Sequence, residues 1–323
     1  MQRRRYRNLG TFFRRLFGQR VHKVGLWGGF DCPNRDGTLC ELGCSFCNPE
    51  SSRPASLVEG MTIDQQLERG INFVSRRFGA SAFLPYLQDY SATYGELHAL
   101  QRIYRSVLER PEVVGLALCT RPDCLQEPVL DLLGSLSTDH FIWVEVGVQT
   151  FNDEILKDMN RCHGGDDSIR ALKKLSDRGI PSAAHMILGY PGQTVEDAAS
   201  DARLLSETGT EGVKLHNLHV VRGTAMEKRY REGTLKLQSM EEYVETVLVF
   251  LRNLSSRTVV LRLRGDASGE LAVAPNWSLS KGKVLRRIEE ELEERKIWQG
   301  ISMGCSLSDL DTLPAWAREL KRG

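Results

Sequence analysis

Four cysteines, Cys32, Cys40, Cys44 and Cys47, fall within 16 residues of a 323-residue chain that holds eight in all. Thiolates are soft ligands suited to iron–sulfur clusters or zinc, and such close spacing lets one loop wrap a single centre. Two triads are legible: Cys40-x3-Cys44-x2-Cys47, and Cys32 placed x11 before the same Cys44-x2-Cys47 pair. Three thiolates on a four-iron cluster would leave one iron open to a substrate-like ligand, whereas four thiolates would close a structural zinc site. Cys119, Cys124, Cys162 and Cys305 show no metal-like spacing, and free cysteines of this kind are commonly just buried. No second cysteine-rich segment follows residue 162, so an auxiliary cluster is not expected.

The elements around this segment decide what it can do. β-branched runs predict strands at 21–27, 82–87, 113–119, 141–148, 181–188 and 212–218. Helical spacing predicts helices at 63–77, 94–109, 128–136, 152–159, 168–178 and 195–207. Six β-α repeats imply a parallel sheet with right-handed crossovers. The cysteine segment GGFDCPNRDGTLCELGCSFCN, residues 28–48, directly follows the first strand. That is the strand end where βα barrels keep their active sites, and a closed zinc knuckle has no reason to sit there. The pattern changes after residue 256, where 258–263 reads as a further strand and 283–298 as a charged amphipathic helix. The division expected is a basic arm at 1–20, a core at 21–256 and a C-terminal extension at 257–323.

Hydrophobic residues make up 41% and charged residues 26%, ordinary for a soluble globular chain. The longest apolar run, Val247 to Leu251, is five residues, far short of a membrane span, so no membrane partner is expected. Residues 1–30 carry eight positive charges and no acid, leaving the other 293 residues at net −7. A basic arm on an acidic body suits a polyanion partner, while Phe12, Phe13, Leu16 and Phe17 suggest that part of the arm packs. No apolar run follows the arginines as it would in an export signal, and a cytoplasmic location is expected. The acidic helix 289–294 reads as a solvated face.

The C-x3-C-x2-C spacing, with aromatic Phe46 just before the last cysteine on the loop after strand one, resembles the radical S-adenosylmethionine (radical SAM) superfamily. The segments FGQRVHKVGLWGGFDCPNRDGT, GCSFCN, TRPD, VEVGVQTFND, RCH, LGYPGQT and KLHNLHVVRGT, in that order, narrow the resemblance to the YhcC/YtqA type. That type is related to the radical domain of the Elongator catalytic subunit, and the resemblance runs from about Phe17 to about residue 275. The 68 residues after position 255 are too few for an acetyltransferase domain of the Elongator kind. The resemblance implies an α/β fold, a partial (βα)6 barrel with a small C-terminal α+β extension. It also implies two cofactors, a [4Fe–4S] cluster and S-adenosylmethionine (SAM).

The narrower type puts its cluster ligands at Cys32, Cys44 and Cys47 and a non-cysteine where this chain has Cys40. Because Cys40 recreates the general superfamily spacing, it stands as the alternative third ligand. Resemblance to the oxygen-independent coproporphyrinogen oxidase type places SAM contacts at Gln149 and at Arg161, twelve residues later. An arginine fork suits the methionine carboxylate. His185 matches an acidic cofactor contact of that enzyme, and Gln88, in Tyr86-Leu87-Gln88, occupies the place of the usual GGE motif. Phe46 completes the expected cofactor contacts, and the turn Leu188 to Thr194 would let backbone approach the adenine or ribose. Lys214 and His216 alternate on the sixth strand and so share a face, where they would meet an anionic substrate or donate a proton.

The activity so implied is cleavage of SAM by the reduced cluster to methionine and a 5′-deoxyadenosyl radical, which abstracts hydrogen from a substrate. Relatives of this type are linked to wobble-uridine side-chain modification, and the basic arm suits phosphate contacts, so tRNA is the expected partner. Flavodoxin or ferredoxin is the expected electron donor. Two alternatives stay open: radical chemistry on a small molecule or peptide, and a non-catalytic zinc or Fe–S protein that senses redox state.

Overall fold

In the computed structural model, residues 4–54, 57–265 and 270–320 are described. Nine strands occur among them: β1 (Val21–Leu26), β2 (Ala82–Leu87), β3 (Gly115–Thr120), β4 (Phe141–Gln149), β5 (Ser182–Leu188), β6 (Gly212–Asn217), β7 (Val220–Val221), β8 (Val259–Arg262) and β9 (Ala272–Ala274). Seven of them form one sheet in the order β1-β2-β3-β4-β5-β6-β8, with every neighbouring pair parallel. The sheet curls into a half-barrel, with helices between successive strands over its outer face. The six strands expected therefore gain a seventh. The run at 258–263, expected in the extension, pairs Val259 with Gly212 and Val260 with Val213, and both valines are buried. The first half of the strand is buried, as in a parallel sheet covered by helices, while Leu261 and Arg262 stay half-buried. The short pair β7–β9 is antiparallel and stands apart from the main sheet.

Because alternate residues of each strand face inward, the interior is built in layers. The lowest layer is apolar: Phe141 and Trp143 of β4, Leu84 of β2, Ala183 of β5 and Val259 of β8. The helix Leu9–Phe17 plugs this end with Phe12, Phe13 and Leu16. Phe13 meets Phe141 and Trp143 edge-on at 6.2 and 6.3 Å. The C-terminal helix Ala315–Leu320 adds Trp316, whose ring lies 5.2 Å from Phe12.

The arm therefore lies beneath the barrel, opposite the cysteine loop, and much of its charge is spent inside the molecule. Arg4 pairs with Glu289 at 3.0 Å and Arg5 with Glu293 at 2.5 Å, so the acidic helix, whose Glu289, Glu290, Glu293 and Glu294 are exposed as expected of a solvated face, also holds the arm. Arg7 is buried and donates to the carbonyls of Ser256, Asp309 and Thr312. No helix among the described residues is long and apolar enough to cross a membrane.

Candidate active site

The loop after β1 is pinned from below and from the side. Asp89, which follows β2 and is fully buried, accepts the backbone N–H groups of Gly28 at 2.9 Å and Phe30 at 3.1 Å. Further along, Ser45 N donates to the Met159 carbonyl at 2.9 Å and Cys47 N to the Cys44 carbonyl at 3.0 Å. Cys44 is buried, and its sulfur receives Arg161 Nη1 at 3.3 Å and Asn34 Nδ2 at 3.4 Å. Burial pushes the Cys44 thiol up, but the Arg161 charge and hydrogen bond outweigh it and hold the group below the ordinary thiol range. Burial raises Cys47 to about 11 and also raises Cys32, and the charge of Cys44 adds to both. These three thiols thus feel one another electrostatically. Cys40 is turned to a different partner: Asn160 Nδ2 donates to it at 3.3 Å, which lowers its pKa.

Above the apolar plug lies a cavity of about 1070 Å³ that runs from Phe46 and Cys47 at the mouth to Phe13 at the helix beneath. Gln88, Gln149, His185, Lys214 and His216 all line it, as does Phe46, so the structure brings together these six residues singled out in the sequence. Gln149 ends β4 where the pairing with β5 slips after Val146, and it adopts φ +71°. A left-handed conformation costs a non-glycine residue energy, and functional sites are where such strain collects. Gly25 leaves room for Gln88, whose amide lies 3.2 Å from the point where a Cβ would stand.

Arg161 does not line the cavity. Its Nη2 donates to the Gly147 carbonyl at 2.5 Å and its Nε meets His163 at 3.1 Å, so the fork is aimed at Cys44 and the β4 backbone. Arg121, after β3, is the basic group that the motif reading passed over, although it stands in the TRPD segment. It is buried, its Nη2 donates to the Arg161 carbonyl at 2.7 Å, and its Nη1 is buried with no hydrogen-bond partner. In the turn after β5, Gly189 at φ +81° is filled against Gln238, while Gly192 at φ +83° faces open space.

Four residues before Gln149 on β4 is a charged group that the sequence reading missed. Glu145 of β4 is fully buried and accepts from Tyr86 at 2.9 Å, His185 at 2.6 Å, Lys214 at 3.0 Å and Lys23. Burial raises the Glu145 carboxyl, but Lys214 and Lys23 more than reverse it and hold it well below the ordinary range. His185 is lowered to about 4 by burial and by Lys214, so it donates to Glu145 as a neutral ring. The His216 ring lies 5.3 Å from that of His185, tilted by 36°, is kept neutral by burial, and leaves its buried Nε2 without a hydrogen-bond partner. The available signal was a lone acid, flanked by apolar residues, in the strand FIWVEVGVQ.

Residues 36–205 match the family model of the radical SAM superfamily, and residues 210–294 match that of the radical SAM C-terminal domain. The chain belongs to the radical SAM superfamily. YtqA of Bacillus subtilis is 34% identical over 297 residues, covering 92% of each chain. A tRNA uridine(34) acetyltransferase of Methanocaldococcus infernus is 30% identical over 157 residues, covering 47% of this chain and 28% of that protein. Among solved structures, an N-terminally truncated archaeal Elp3 of Methanocaldococcus infernus superposes with a TM-score of 0.64 at 18% identity, covering 86% of this chain and 64% of that one.

This radical SAM chain accordingly uses a [4Fe–4S] cluster and SAM. The residues present suit both groups. Thiols of Cys32, Cys44 and Cys47 share one loop and influence one another, and a buried guanidinium nitrogen of Arg121 beside them awaits a partner.

Proposed function

We propose that this radical SAM enzyme modifies a uridine of tRNA, with Cys32, Cys44 and Cys47 as the cluster ligands, Phe46, Gln88, Gln149 and His185 as the residues that seat SAM, and Arg161, expected from the sequence among them, turned instead to Cys44. The observation that carries the substrate is the stretch of 157 residues shared with a tRNA uridine(34) acetyltransferase. Bound at this loop, the cluster and SAM supply a carbon radical able to abstract hydrogen. The chain's own residues have separable tasks. Asp89 fixes the loop, Arg161 and Asn34 favour the thiolate of Cys44, and strained Gln149 is held into the cavity. His216 presents an unengaged nitrogen toward the substrate space, whereas Lys214 is tied to Tyr86 and Glu145 beneath it.

RNA contacts near the mouth are better served by Arg222 than by the arm. Arg222 is exposed and its carbonyl receives Asn48 Nδ2, on the cysteine loop, at 2.8 Å. Flavodoxin or ferredoxin fits as electron donor by chemistry alone.

The test is to incubate the anaerobically reconstituted enzyme with SAM and dithionite, with and without total tRNA. Release of 5′-deoxyadenosine stimulated by tRNA, with a mass change in a uridine nucleoside, is the expected result. Release indifferent to tRNA but stimulated by a small acid or a peptide overturns the tRNA assignment.

A further inference from the structure

The cavity floor carries more positive than negative charge. Lys23 and Lys214 flank the Tyr86 ring at 4.5 and 4.9 Å and share one carboxylate, Glu145, with His185 neutral beside them. Among the described residues, the hydrogen bonds to Glu145 and Tyr86 engage three of the six ammonium protons. We propose that this floor is a subsite for the carboxylate of a small organic acid, a substrate or co-substrate of the radical reaction. The proposal rests on the radical SAM reading of the same cavity.

Charge, depth and access each point the same way. A floor that only had to be filled would be apolar, as the aromatic layer directly beneath it is, since burying ion pairs commonly costs more than apolar packing. Lys23 and Lys214 outnumber Glu145, and Arg262, which also lines the cavity, adds positive charge beside Lys214, so the floor suits an anionic group such as a carboxylate. Glu145 lies four residues before Gln149, or roughly 13 Å of strand, so the phosphate of an RNA whose base sits at the mouth does not reach the floor. A small acid has its own way in. β1 and β8 are the edge strands of the sheet, β8 bridged at Val260 to Asn8, and the cavity extends between them past Arg69, Phe73 and Arg262. Above the floor, His216 Nε2 and the buried Asn217 Oδ1 lack partners in the cavity wall and can grip the rest of the molecule.

Trifluoroacetate is a suitable probe, followed by its fluorine NMR linewidth on the reconstituted holoenzyme at fixed ionic strength. Saturable broadening reversed by acetate is expected, with affinity falling about tenfold in Lys214→Met. Because that change leaves Glu145 short of a partner, the triple variant Lys23→Met/Lys214→Met/Glu145→Gln, which removes both ammonium groups and leaves no unpaired carboxylate, is checked for its Tm, serves beside it and is expected to lose the same binding. Absence of saturable broadening, unchanged affinity in both variants, or stronger displacement by inorganic phosphate than by acetate would each overturn the subsite. Deoxyadenosine release from the same wild-type preparation separates the two failures: SAM cleavage without probe binding removes only the subsite, and no SAM cleavage removes the reading beneath it.

Discussion

Arg161 Nη1 stands 3.3 Å from Cys44 Sγ, so a guanidinium delivered from beyond β4 is what faces the most deeply buried thiol of the loop after β1. The same arginine binds the Gly147 carbonyl and thereby ties the cysteine loop to the end of β4. Partners of this kind orient metal ligands, and removing one costs about 10- to 100-fold in affinity. Arg161→Met should therefore lower the iron retained against a chelator by that order, with the fold intact by circular dichroism. Iron retention equal to wild type would mean that Arg161 supports only the β4 backbone.

Asp201 is a buried carboxyl raised to about 7 by its burial, while Thr150 Oγ1 and Phe151 N donate to it directly after Gln149. Its native pKa lies above its unfolded value, so the folded chain binds the extra proton between about pH 4 and 7 and loses stability as pH rises through that window. Asp201→Asn should therefore gain stability relative to wild type from pH 5 to pH 8, by at most about 4 kcal/mol. The difference between the two unfolding curves is the measurement, because His185, held neutral down to about 4, contributes an opposite slope to both. Parallel curves would show that Asp201 is ionised in the native protein.

The arm is a structural plug. Phe12 is 2% exposed and contacts Phe13, Trp143 and Trp316. Truncating a buried phenylalanine costs about 3–5 kcal/mol, so Phe12→Ala should lower the urea midpoint by a corresponding amount. A loss below 1 kcal/mol would show that the barrel closes without the helix.

Salt dependence distinguishes the arm from the mouth. Each phosphate contact contributes roughly 0.7–0.9 to the slope of log affinity against log salt. Arg222→Gln should reduce the slope for tRNA by about one such contact. Arg4→Gln and Arg5→Gln, whose charges are held by Glu289 and Glu293, should leave it nearly unchanged. The reverse pattern would return the RNA contact to the arm.

Local pattern exposed the parallel strands well: the stretch 82–87 is β2 to the residue, and the five other predicted core strands differ only at their ends. β8 was read as a strand but not as part of the main sheet, because its partner β6 lies some forty residues earlier and pairing is invisible to local periodicity. The Glu145 network was hidden for the same reason, since its donors Lys23, Tyr86, His185 and Lys214 come from four different strands. Cavity residues such as Gln149 and His216 could be found through their motifs and strand alternation. The slip in β4 and the positive φ that aims Gln149 could not, because both arise from pairing with β5.

The most direct test of the central claim is anaerobic reconstitution with iron and sulfide, followed by dithionite and SAM, on wild type, Cys32→Ala and Cys40→Ala. Iron, zinc and 5′-deoxyadenosine are quantified in each. A four-iron complement with deoxyadenosine, kept in Cys40→Ala and lost in Cys32→Ala, is the expected result. Loss in Cys40→Ala with retention in Cys32→Ala would reassign the third ligand, and one tightly held zinc without deoxyadenosine would contradict the radical mechanism outright.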